Sequence, residues 1–419
     1  MTIINEFVDP SRKLNSSRSY LMLLLVISFF FYQFIPRIWM GLIMEDLMKD
    51  MQINATQYGI MASFYYYGYA IMQIPTAMLV HKYGTRSIVS LFAVICGIMM
   101  MVFSTTNNFY IGCFARFMIG SASAAGIMGI SQVISDWFTK DLYGKALGVS
   151  ISLGLIGALY GGKPISILLE QYSYKEISNF IGIAGIFLGG VILMFLQSGK
   201  KYDVSNEASA SKPLTFISTI KLVLSYEILL LGMANFFMVG ILEGFADVWG
   251  VEYLVNKFAI SKSDAAFLTS LIFLGLMIGS PLLNWIEPWF NTYILLTIVG
   301  ITMTGLMSCL LWFNLGGNSF LMFILLGIAS AYQTVVLNLG ARILNHKHTG
   351  IVLALLNSLN MLGGSFFHTG IGSMISSAKG SLNFTEESAY VFGLSLIPIT
   401  SLMGVLIFIF LYLKSRRKI

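Results

Sequence analysis

Charge is scarce in this chain, and that scarcity decides its solvent. Of 419 residues, 11% are Asp, Glu, Lys or Arg and 57% are apolar, and mean hydropathy is +0.80. A soluble domain runs about a quarter charged. A water-soluble fold of this length has no interior large enough for so much apolar surface, so lipid must solvate its outside. The charges gather between apolar runs of roughly 20 residues, the length that crosses a bilayer as a helix. These runs are uniformly apolar, whereas a barrel strand alternates with a period of two. Backbone groups in lipid must pair within their own segment, which helices achieve. The expected fold class is an all-α polytopic membrane protein.

Twelve spans are expected, at 19–47, 56–80, 86–106, 109–135, 144–168, 177–197, 219–250, 263–285, 291–313, 318–342, 350–376 and 387–413. Lys and Arg set the orientation. With a cytoplasmic N-terminus, most of the 25 basic residues fall inside, among them Arg18, Lys82, Arg86, Lys145, Lys201, Arg342 and Lys414. The opposite side holds Lys49, Lys163, Lys175, Lys257, Lys262 and Lys379, while Arg37 and Arg116 lie within spans. Both termini are therefore expected inside. The net charge of +6 is a topology signal and does not imply nucleic-acid binding. The polar first 18 residues precede a long span without a small-residue cleavage site, so the first helix is expected to be uncleaved. Cys96, Cys113 and Cys309 all fall in spans and suggest neither a disulfide framework nor a metal site.

The longest polar stretch, 198-SGKKYDVSNEASASKPLT-215, lies near the middle and reads as a linker. The expected division is a six-helix bundle over 1–197, a cytoplasmic linker over 198–218 and a second six-helix bundle over 219–419. Internal echoes support duplication: 120-GSASA-124 resembles 327-GIASA-331, and Ser63, Gly68 and Pro75 resemble Ser270, Gly275 and Pro281. Two pseudo-symmetric bundles are the pattern of transporters built from repeats.

The loop after the second span reads 77-AMLVHKYGTRS-87. It resembles the signature Gly-x-Leu-x-Asp-Arg-x-Gly-Arg-Arg of the major facilitator superfamily. Leu79, Lys82, Gly84 and Arg86 match; Ala77 replaces the first Gly and His81 the acid. The stretches 116-RFMIGSASAAG-126 and 137-WFTKDLYGKALG-148 add to the likeness, which covers essentially the whole chain. The resemblance implies the major facilitator fold, a gating role for the 79–86 loop, and a central cavity lined by spans 1, 4, 7 and 10. The missing acid at His81 is expected to weaken the charge latch of that loop. Within the superfamily, 63-SFYYYGYAIMQIP-75 resembles the phagosomal nutrient permeases of intracellular bacteria. That likeness implies uptake of amino acids or nucleosides.

Ionisable residues inside spans are functional candidates because burying them is costly. Arg37, near Gln33 and Pro36, can present a bidentate fork to a carboxylate or phosphate. Glu243 and Asp247 are four residues apart on one helix and share a face. They are expected at the depth of Arg37, facing the same water-filled site, where either could carry a coupling proton. The plainer reading of Arg37 is a structural pairing with an acid or a place near enough to the outer surface to snorkel, and that of the two acids is the outer vestibule near Trp249. Arg116 matches the superfamily's span 4 arginine, which implies a conformational or coupling role. His368 could shuttle protons, or be a satisfied core histidine. Tyr66, Tyr69 and Gln73 share one stripe and could bond substrate or simply pack; Gln333, Asn338, Asn357 and Asn360 are further polar candidates. His346 and His348 flank Lys347 in a loop and read as solvated. The glycines of span 5, Gly144, Gly148, Gly154, Gly157, Gly161 and Gly162, suggest close packing or a hinge.

No phosphate-binding Gly-x-x-x-x-Gly-Lys-Ser/Thr, His-Glu-x-x-His or Gly-x-Ser-x-Gly occurs. An enzyme is therefore not expected, nor any cofactor. The expectation is a monomeric secondary transporter in a bacterial inner membrane. It would move a small hydrophilic solute, an amino acid, small peptide or nucleoside, by alternating access with proton-coupled uptake. An efflux antiporter is the first alternative, and 154-GLIGALYGGKP-164, with Pro164 after Lys163, argues against it. A sensor or scaffold on the same fold is the second; the short segment after span 12 argues against a signalling tail.

Overall fold

Side-chain caps mark where many of the helices begin. Asn54 and Ser173 each form a capping box, with Gln57 and Glu176 respectively reaching back to the cap. Asn108, Ser261, Asn291 and Thr385 also accept from backbone N–H groups of the following turn. These satisfy orphan donors at interfacial helix ends, where loops are short. The computed structural model describes residues 16–197, 225–313, 320–343 and 349–416. The linker expected at 198–218, together with His346, Lys347 and His348, lies outside the described residues.

Twelve long helices run through the described residues: α1 Ser17–Leu42, α2 Ala55–Tyr83, α3 Thr85–Thr105, α4 Phe109–Trp137, α5 Asp141–Leu169, α6 Tyr174–Phe195, α7 Tyr226–Phe258, α8 Lys262–Trp289, α9 Thr292–Trp312, α10 Phe320–Ile343, α11 Thr349–Gly380 and α12 Glu386–Arg416. Ten of them are long and apolar enough to cross a bilayer by length and composition alone. The other two, α2 and α11, are equally long but more polar. They pack along each other through the middle of the molecule, so their polar side chains face protein. Ser63 Oγ lies 2.8 Å from Thr369 Oγ1 and donates or accepts there, and Asn357 Nδ2 donates to Gln73 Oε1 at 2.9 Å.

Several expected boundaries move. The first span stops at Leu42 rather than 47, because Ile43 breaks the helix and Met44–Met51 forms a separate short one. That short helix has Glu45 and Asp46 in its first turn and Lys49 in its last, the charge order a helix dipole favours. α7 continues past 250 to Phe258, where Ala259 ends it in a left-handed conformation. α11 continues to Gly380 rather than 376. α5 is interrupted at Gly162.

The duplication is visible in packing. In one half, a Cβ on Gly68 would meet Phe117 O at 2.1 Å and one on Gly120 would meet Tyr65 O at 1.8 Å. In the other half, Gly275 meets Ile324 O at 2.1 Å and Gly327 meets Ile272 O at 2.0 Å. The same sequence spacing separates each member of one set from its counterpart, so α2–α4 and α8–α10 are the same contact made twice. α4 and α10 also break at equivalent points, Ala124 and Ala331, the last residue of each echoed motif. The glycines of α5 divide. Gly154 and Gly157 lie against Phe30 and the Phe31 carbonyl of α1, whereas a Cβ on Gly144 or Gly148 would meet nothing within 4 Å. Those two are not packing positions in this arrangement.

Ties between the halves are strong at the end remote from the chain termini. A Cβ on Gly162 would crowd Ser270, Lys163 pairs with Asp264 at 3.0 Å, and Thr56 N donates to Ser376 Oγ at 3.0 Å. On α5 nearer the termini, Gly144, Lys145 and Gly148 are exposed.

Candidate functional site

The last two turns of α1 meet the middle of α7, and each helix is irregular there. Pro36 sits inside α1 and cannot donate to the preceding turn. α7 is wound as a π-helix from Gly240 to Trp249, a rare form that recurs at functional sites. Gly41 lets the two backbones close: a Cβ there would lie 2.7 Å from the Asp247 carbonyl. This approach carries Arg37 of one half onto Glu243 and Asp247 of the other.

Arg37 Nε donates to Asp247 Oδ2 at 2.8 Å, and Nη2 donates to Glu243 Oε2. The Tyr66 hydroxyl of α2 makes hydrogen-bond contact with both Glu243 Oε2 and Asp247 Oδ2. From α11, Asn360 Nδ2 donates to Glu243 Oε1 at 3.4 Å. His368 Nε2 lies 2.5 Å from the Glu243 backbone carbonyl. An acceptor there requires Nε2 to carry the hydrogen. Nδ1 is buried with no partner among the described residues, so the neutral ring suits the site better than the cation. Aromatic faces complete the enclosure, with the Arg37 guanidinium carbon 5.4 Å from the Phe34 ring centroid and 5.6 Å from that of Tyr66.

The cluster is dry. Arg37 is 8% exposed, Glu243 1%, and Asp247, Tyr66 and His368 0%. The expectation of a water-filled site is corrected: the two halves close on these groups, and the outer-vestibule reading of the acids fails for the same reason. In so apolar a setting, each charge depends on its partners.

The other expected residues lie beside the cluster or apart from it. Tyr65 donates to Gln33 Oε1 at 3.0 Å, beside the cluster and within the first half. Tyr69 packs on Tyr65, and Gln73 pairs with Asn357 further toward the termini. Gln333 and Asn338 stand apart; Asn338 donates to Asn284 at 2.6 Å. Arg116 is fully buried but does not reach the acids. Its Nη1 donates to the Pro36 carbonyl at 2.6 Å, and its guanidinium lies 5.0 Å from the Tyr65 centroid. It therefore braces the α1 segment next to Arg37. In the 79–86 loop, Gly84 ends α2 at φ 85° and α3 starts at once. Leu79 is half-buried, His81 and Lys82 are exposed, and Arg86 Nε donates to the Leu193 carbonyl of α6 at 2.7 Å.

Sequence reasoning missed two features. The π-helical winding of α7 has no side-chain signature. Glu252, one turn of α7 beyond the cluster, is 1% exposed and lies 3.4 Å from Lys262 Nζ. Its place at the edge of an apolar run concealed its burial.

Two related helical bundles that close on a charged cluster between them have the architecture of membrane proteins built from repeats. The family model described as Major Facilitator Superfamily matches residues 21–368, and the chain belongs to that superfamily. A protein of Agrobacterium vitis whose name assigns it to tartrate transport is 25% identical over 183 residues, 40% of each chain. A hexuronate transporter of Bacillus subtilis is 23% identical over 246 residues, 56% of this chain and 57% of its own. The matches thus span about half the length of these relatives. Among solved structures, an inward-facing bacterial homolog of the human lysosomal transporter Spinster aligns with a TM-score of 0.72 at 15% identity, over 94% of this chain and 96% of its own. The chain has the multi-pass helical architecture of that superfamily, with ten helices among the described residues long and apolar enough to cross a bilayer.

Proposed function

We propose that this chain imports a small hydrophilic organic solute bearing a carboxylate, with a proton moving inward alongside it. The observation that carries the reading is the Arg37 fork held by Glu243 and Asp247 across the interface. An anionic solute can take Arg37 from these acids where a proton keeps one of them neutral, so solute and proton enter as partners. The bidentate guanidinium suits a carboxylate, and Gln33, Tyr69 and Asn360 supply neutral hydrogen-bonding groups beside it. The names of the relatives favour organic acids over the amino acids, small peptides or nucleosides expected from the sequence. An amino acid would still suit a site with charges of both signs.

The basic residues favour cytoplasmic termini, and bacterial relatives favour the inner membrane. The bundles divide at 198–218, and the ties remote from the termini then seal the external side. Uptake of labelled tartrate, glucuronate, amino acids and nucleosides into proteoliposomes, with and without an inward proton gradient, tests the reading. Gradient-driven accumulation of an acid is expected. Accumulation of none of these, or accumulation indifferent to the gradient, overturns it.

A further inference from the structure

The central cluster has more hydrogen-bond contacts than its phenol has hydrogens. Tyr66 has one hydroxyl hydrogen, yet its oxygen makes hydrogen-bond contact with a carboxylate oxygen on each side, Glu243 Oε2 and Asp247 Oδ2. It can donate fully to only one of them. If both acids were ionised, that one hydrogen would face two anionic oxygens at once; a protonated carboxyl group that donates to the phenol removes the conflict. Arg37 does not supply that second hydrogen: of its five N–H donors, those on Nε and Nη2 that reach the acids point at the same two acid oxygens and not between them and the phenol. The geometry points to one proton held by Glu243 and Asp247 together and passed between them by the Tyr66 hydroxyl.

Charge agrees with the count. One guanidinium against two ionised acids leaves a net negative charge in a dry interior, and one proton brings the cluster to neutrality. The other titratable groups facing it do not supply that balance by position. Tyr65 and Tyr69 of α2 and Tyr332 of α10 are buried phenols, His368 meets the Glu243 backbone, and Arg116 meets Pro36. The remaining oxygens allow either acid to hold the proton. Glu243 receives Arg37 and Tyr66 on one oxygen and Asn360 on the other. Asp247 Oδ1 is buried with no partner among the described residues. A neutral carboxylic acid tolerates a bare oxygen better than a carboxylate does, which suits Asp247 to carry the shared proton for part of the time.

Transfer needs no phenolate. The Asp247 O–H bond breaks as an O–H bond forms on Tyr66, while the original Tyr66 O–H breaks and an O–H forms on Glu243. Asp247 becomes the carboxylate, Glu243 becomes the acid, and the cluster's charge is unchanged. Glu243 lies four residues nearer the terminal end of α7, and both acid oxygens touch the one Tyr66 oxygen, so the hop carries the proton across that oxygen toward the terminal end. With the termini cytoplasmic, that displacement is inward. The assignment rests on the proton-coupled reading above, but its test needs no transported solute.

Infrared spectroscopy of the full-length chain in lipid at neutral pH reads protonated carboxyl groups through their C=O stretch. One such band is expected in the wild type and is lost in both Glu243→Gln and Asp247→Asn, since either leaves one acid for Arg37 and one hydrogen for Tyr66. Tyr66→Phe keeps the ring that packs edge-on against His368 at 4.9 Å and removes the hydroxyl. The band should then move to higher frequency and its shift in heavy water should slow by about tenfold or more, the cost of one lost hydrogen bond. 3-Fluorotyrosine at position 66 retains a hydroxyl and should restore both, which a merely structural role would not require. No carboxylic acid band in the wild type overturns the shared proton. An unchanged band and exchange rate in Tyr66→Phe overturns the relay. A wild-type band that behaves as expected, in a protein that accumulates no solute on a proton gradient, leaves the relay standing and removes the proton-coupled import instead.

Discussion

Arg37 Nε stands 2.8 Å from Asp247 Oδ2, a hydrogen bond that joins the two halves of the molecule at its buried centre. The same guanidinium reaches Glu243, so one planar group spans two carboxylates. A substrate carboxylate would use the same fork, which makes the contact both a latch and the place where substrate competes.

Arg37→Lys keeps the charge but replaces the fork with a point charge that cannot hold two acids at that spacing. Initial uptake in proteoliposomes should fall by about tenfold or more, equivalent to roughly 1.4 kcal/mol or more of lost interaction. Arg37→Gln strands two buried acids, and the thermal midpoint should drop by an amount matching about 3–5 kcal/mol. Wild-type uptake by the lysine variant would remove Arg37 from the substrate path.

Glu243→Gln and Asp247→Asn keep shape while removing a titratable group. Because Tyr66 connects the two acids, either can stand in for the other in part, and the double substitution is the informative one. It should abolish gradient-driven accumulation and spare exchange of solute across a membrane with no gradient. If accumulation in the double variant still tracks the proton gradient, the coupling site lies elsewhere.

Orientation is open to labelling. In a background without Cys96, Cys113 and Cys309, cysteine at Ser415, near the end of α12, should react with an impermeant maleimide only after the cytoplasmic face is opened. Cysteine at the exposed Ser381, past α11, should react in intact cells. The reverse pattern would invert the whole topology.

These tests rest on features that were legible to different degrees. Twelve helices could be read because every span needs a long apolar run, and duplication was legible because close helix packing demands small residues at Gly68, Gly120 and their counterparts. The pairing of Arg37 with Glu243 and Asp247 was foreseen as a shared depth, since charges inside spans are rare enough to seek one another. Its dryness was not foreseen, because a sequence carries no record of how far two halves have closed. The roles of Tyr66 and Asn360 were blurred for a related reason. As polar groups on helices facing the interface, they looked like substrate contacts until the acids were seen to occupy them.

Gly84 tests the loop that has lost its acid. Its φ of 85° lies where an L side chain is strained, and the turn it makes is a single residue between α2 and α3. Gly84→Leu should slow turnover more than it weakens solute binding, as read by the ratio of uptake rate to affinity. An equal loss in both, together with poor recovery of folded protein, would assign Gly84 to stability alone.

The seal remote from the termini can be locked. A Cβ built on Gly162 lies 3.3 Å from the Ser270 Cβ, across the interface between α5 and α8. Disulfides join residues whose Cβ atoms are roughly 3.5–4.5 Å apart, so Gly162→Cys with Ser270→Cys should oxidise readily after a small shift. If the halves must part here in each cycle, the bond holds one conformation and removes the other from the equilibrium. Transport should stop on oxidation and return on reduction. Gly162→Cys alone controls for crowding, because its side chain must also displace the Ser270 hydroxyl, and it should transport regardless of oxidant. Full transport by the oxidised double variant, with the cross-link verified by mass, would mean that this seam stays shut throughout the cycle and that solute enters by another route.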